Sequence, residues 1–172
     1  MAALVSLAKH HPHLEGVFGP LTPKDDRALR ATFAEIDEEL LALASHLGQR
    51  GAGGQGTGLE LVWKQSGQLS IASCVGATRN SIAADFCVEL RPAWFYGPPT
   101  TGDAGWDVEA TIQVDCQHSP DHGGMDLVWE RGDIRRRTPA EAAAELLGAA
   151  GELRRQGTDY PLEHWQSLTR DD

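Results

Sequence analysis

Basic residues are scarce in this chain. Fifteen Lys and Arg stand against 25 Asp and Glu, a formal charge of -10, so outside the short cluster Arg131 to Arg137 nothing offers the field that a phosphate backbone needs. Nucleic acid is excluded as a partner on that ground, and a neutral or basic protein surface is the easier match. Cysteine is scarce too. Cys74, Cys87 and Cys116 are odd in number and form no Cys-x-x-Cys pair, which disfavours a disulfide framework and a structural zinc module and fits a reducing cytoplasm. No apolar run approaches the roughly 18 residues of a membrane helix. "MAALVSLAKHHPHLEG" lacks both the basic start and the apolar length of a signal peptide. A Gly-x-Ser-x-Gly elbow is missing, and the Gly-rich stretch Gly48 to Gly58 is not followed by the Gly-Lys-Ser/Thr of a phosphate loop.

What is there reads as layered secondary structure. At 172 residues the expectation is a single domain, 1–172, with an N-terminal arm over 1–20, a flexible Gly-rich connector over 48–58 and a C-terminal tail over 157–172. Thr22 and Pro23 suit the cap and first position of a helix. Leu29, Phe33, Ile36, Leu40, Leu43 and Leu47 then draw one apolar stripe that stops near Gly48 or Gly51. Leu59, Leu61 and Trp63 alternate with polar neighbours, and a Ser-Gly-Gln turn leads into "LSIASCV", the pattern of a hairpin.

Ile82, Ala84, Phe86, Val88 and Leu90 share one strand face until Pro92 ends the ladder. Trp106 to Cys116 alternates in the same way, and Met125, Leu127 and Trp129 are expected on one face of a last strand. Thr138, Pro139 and Glu141 start a second helix with a capping box, and Ala143, Leu146, Leu147, Ala150 and Leu153 form its buried stripe. The fold class is therefore α+β, a five-stranded antiparallel sheet flanked by an N-terminal and a C-terminal helix packed on one face. In topology this order is similar to the secretion-chaperone-like α+β fold, an analogy that implies architecture and no activity.

Candidate sites are few. In "VDCQHSPDHGGMDLVW", Cys116 and His118 are two apart at a strand end, and His122 can fold back to complete an N/S set for zinc, with Asp115 or Asp121 adding an oxygen. The same residues are explained by turn chemistry, since Pro120, Asp121, Gly123 and Gly124 suit a hairpin loop. The loop is the expected reading, with no cofactor, and zinc its alternative. His10, His11 and His13 fit a solvated arm, His46 a packing role and His164 a docked tail beside Trp165. Cys74 and Cys87 look like strand fillers, and Asp107, Glu109 and Asp115 fall on a sheet face where water alone accounts for them.

"RPAWFYGPP" gathers Trp94, Phe95 and Tyr96 in a Pro-terminated loop near Asp103, the composition of a binding surface. The leading expectation is a non-enzymatic cytoplasmic protein-binding domain, such as an immunity protein or a dedicated chaperone, with no nucleic acid or membrane partner. Its oligomeric state is open, a swapped dimer included. A metal-dependent enzyme or metalloprotein using Cys116, His118 and His122 is the second reading. A small-molecule binder with a pocket walled by Trp63, Phe86, Trp106 and Trp129 is the third.

Overall fold

The computed structural model describes residues 17–63, 69–79, 82–92, 105–116 and 124–160. Its elements are α1 (Pro23–Gln49), β1 (Gly53–Trp63), β2 (Leu69–Arg79), β3 (Ile82–Pro92), β4 (Trp106–Cys116), β5 (Gly124–Arg136) and α2 (Pro139–Asp159). The strands form one antiparallel sheet in the order β1-β2-β3-β4-β5, and the two helices flank it. This is the α+β arrangement that the periodicities predict.

Each helix starts where the local chemistry says it should. Thr22 Oγ1 accepts from the Asp25 N–H at 3.2 Å, and Asp25 and Asp26 place negative charge on the first turn, where the helix dipole favours it. The buried residues of α1 are the six of its apolar stripe, Leu29 to Leu47. In α2, Thr138 and Glu141 exchange side-chain and backbone hydrogen bonds as a capping box. Its buried face includes Ala142 and Ala149 besides the expected stripe, while Leu147 is only half-buried. Small residues let α2 come close to its neighbours. A Cβ on Gly157 would stand 2.7 Å from Leu43 Cδ1 and 3.1 Å from the Phe86 ring.

An odd number of antiparallel strands makes the first and last point the same way, and each helix turns back along the strand it adjoins. The helices are therefore parallel to one another. Arg154 of α2 meets Glu39 of α1 at 3.1 Å, and Arg50, just past α1, donates to the carbonyls of Thr158 and Tyr160 at 3.1 and 3.0 Å. The inner sheet face fills the space beneath them with Ile71, Val75, Phe86, Val88, Leu90 and Ile112, all fully buried.

Four boundaries differ from the sequence reading. β1 begins at Gly53, inside the stretch expected as a connector, because glycine backbones still complete a ladder. Gly53 pairs with Thr78 and Gly56 with Val75 before the register breaks between Gly56 and Leu59. α2 runs to Asp159 rather than ending before Gly157. The expected N-terminal arm overlaps the core, since Val17 and Phe18 are buried and Trp106 Nε1 donates to the Val17 carbonyl at 2.8 Å. In β5, an irregularity between the Ile112↔Trp129 and Gln113↔Leu127 rungs puts Trp129 inward and Leu127 outward. The extra residue of a bulge shifts every later side chain to the other face, which simple alternation does not foresee.

Candidate functional site on the outer sheet face

The face turned away from the helices is polar, yet much of it is out of water. Arg91 is 7% exposed and Asp107 9%. Register explains how two charges are held there. Arg91 pairs with Asp107, and Asp107 with Arg135, along one line of rungs that crosses three strands. The Arg135 guanidinium donates through Nε and Nη2 to the two oxygens of Asp107, at 2.7 and 3.0 Å. Arg91 Nη1 donates to Glu109 Oε2 at 2.6 Å and lies 3.6 Å from Glu89. Bidentate and charge-assisted contacts of this kind offset the cost of desolvation.

These pairs correct the expectation that Asp107 and Glu109 are simply solvated acids. Each is held in an ion pair by an arginine. Further along the same face Thr111 is buried, and Asp85 is half-buried, which pushes its carboxyl above the usual carboxylate range.

The cysteines require a second correction. Cys74 and Cys87 are directly opposite on β2 and β3, with Cα atoms 4.1 Å apart, and are joined as a disulfide. They are not inert fillers, and an odd cysteine count did not preclude a pair. The basic cluster Arg131 to Arg137 is also occupied. Arg131 reaches Glu145 and, at 3.2 Å, Glu152 on α2, and Arg136 reaches Glu145 as well. Three of its four arginines, Arg135 included, are thus held by acids of the same chain, which removes most of the patch as an anion surface.

Trp94, Phe95, Tyr96, Asp103, His118 and His122 lie outside the described residues, as do His10, His11, His13, His164 and Trp165. Cys116 ends β4, where its backbone pairs with Gly124. The ends of the aromatic segment are placed, because Pro92 and Trp106 form a rung next to Arg91 and Asp107. Gly105 closes that segment at φ 130, where any side chain would run into the Arg136 carbonyl.

Among the described residues no three metal-binding side chains stand together, and no helix is long and apolar enough to cross a membrane. His46 on α1 is half-buried, with Nε2 lacking a hydrogen-bond partner. Phe86 and Trp106 are buried in the core. Phe86 meets Tyr160 edge to face at 6.5 Å, and Trp106 packs against Phe18 with the rings tilted, 5.5 Å apart. A groove of about 360 Å³ lies elsewhere, at the start of both helices, between Leu21, Leu29, Thr32, Thr138, Pro139 and Ala143.

The disulfide had a signal in the sequence, since counting rungs back from Arg79↔Ile82 sets Cys74 against Cys87. The Arg91, Asp107 and Arg135 line had none, because the segment between β3 and β4 is too long to fix a register. Compared with family models, curated proteins and solved structures, the chain finds no match.

Proposed function

We propose that the chain is a non-enzymatic protein-binding domain, of the kind exemplified by immunity proteins and dedicated chaperones. It would meet a neutral or basic protein surface through the outer sheet face and the adjoining segment that carries Trp94, Phe95, Tyr96 and Asp103. The observation that supports the reading is that both helices cover one face of the sheet, while the other holds its charges in fixed pairs and, further along, carries Leu127, which is 52% exposed. A polar surface already ordered in the free protein loses little side-chain freedom on association. Two acids on that face, Asp107 and Glu109, are held by arginines. A reducing cytoplasm is the proposed compartment, and a disulfide there belongs to the transient, redox-responsive class.

The test uses the full chain as bait to identify a partner and then compares Trp94→Ala with the wild type. The expected result is a loss of about 2 kcal/mol in affinity with little change in melting temperature, the signature of an interface anchor. A marked fall in melting temperature with unaltered binding would assign the aromatic segment to the core and remove it as the recognition surface.

A further inference from the structure

The outer face carries one reactive group that the binding reading does not use. Cys74 and Cys87 occupy the middle of the β2 and β3 pairing, which runs without a register shift from Ile71↔Leu90 to Arg79↔Ile82. Both are half-buried rather than fully buried, on the face that, among the described residues, no helix covers. The rest of the structure already fixes the two strands. Val75 and Phe86, one rung further along, are buried on the inner face, and β3 pairs on its other side with β4 from Ala84 to Pro92. Breaking the bond therefore releases no strand, and the ladder keeps the two sulfurs opposed for it to form again.

We propose that Cys74 and Cys87 form a reversible redox site, opened by exchange with an external dithiol and closed by exchange with an external disulfide while the sheet stays folded. The thiolate of the dithiol attacks one cysteine sulfur, the bond between the cysteines breaks, and the departing sulfur takes up a proton. The second thiol of the reductant then displaces the remaining cysteine from the mixed disulfide. Two electrons pass to the protein, which ends with two thiols, and the reductant leaves as its own disulfide. The proposal stands apart from the binding reading, since neither step involves a partner protein.

The experiment counts thiols on the intact chain. Air-oxidised protein, alkylated in denaturant without reductant, should take one label, on Cys116, with Cys74 and Cys87 recovered in one linked peptide. After treatment with dithiothreitol in native buffer it should take three, with the circular dichroism spectrum retained, and replacement of the reductant by oxidised glutathione should restore the linked peptide. Folded Cys74→Ser should form a mixed disulfide with oxidised glutathione at Cys87. Three labels in the oxidised protein would show that the bond does not form. Reduction that requires denaturant, or that itself unfolds the chain, would make the bond a structural staple. Cys87 left unmodified in folded Cys74→Ser would show that it cannot be reached. Any of these outcomes overturns the proposal.

Discussion

On the inner face of the sheet, Phe86, Leu90 and Ile112 are buried by contacts that any apolar side chain of the right volume can make. On the outer face Arg91 and Asp107 are buried nearly as deeply, by contacts that one geometry alone permits. The first kind of burial tolerates exchange among similar shapes and fails when volume is lost. The second fails when a single partner is removed, because the remaining charge has only limited water to replace it. Volume thus governs one side of the strands and pairing the other.

The comparison can be tested by substitution. Phe86→Ala should cost most, about 3 to 5 kcal/mol in chemical denaturation, through the cavity left among the helices. If the outer face were only a solvated surface, Arg91→Met would be nearly silent. With Glu109 and Glu89 left facing one another, it should instead cost about 2 to 3 kcal/mol. Adding Glu109→Gln should recover part of that loss, and a strictly additive double mutant would argue against the pairing.

Gly157→Val examines how closely the inner face meets the helices. Overpacking against Leu43 and Phe86 should cost about 1 to 3 kcal/mol, and a neutral result would mean that α2 can shift away freely. The smallest effect is expected at Asp85. Burial raises its carboxyl pKa, so the folded state holds the proton more tightly than the unfolded chain, and the stability linked to that proton, full below the unfolded value near 3.8, is lost as pH rises through the folded one. Asp85→Asn should therefore stabilise the protein slightly at neutral pH and not at acidic pH. A gain equal at both would point to a cause other than charge.

What was legible in the sequence follows the same division. The six buried residues of α1 and the inward residues Ala84 to Leu90 and Trp106 to Val114 follow from period alone, because burial on a regular element repeats with that element's geometry. The outer face is set by register, a relation between strands rather than a property of either. Glu89 and Glu109 stand opposite one another and are tolerated because Arg91 lies beside both. No local pattern announces such an arrangement. The bulges of β5 mark a further limit, since the residue that shifts Leu127 outward carries no glycine or proline to signal it. Of the proposed interface, the sequence names the aromatic residues, while the paired charges became visible only once the strands were aligned.

The parallel setting of the two helices has a consequence for how the chain can be joined to others. Val17 sits at the end of the helical layer where both helices begin, and Tyr160 at the end where both finish. A helix the length of α2 spans roughly 30 Å at 1.5 Å per residue. A protein fused before Val17 and another fused after Tyr160 would therefore project from opposite poles of the domain, and successive copies would extend as a string rather than double back. By the same geometry, a circular permutant linking these two positions needs a bridge of about ten extended residues or more, at roughly 3.3 Å each.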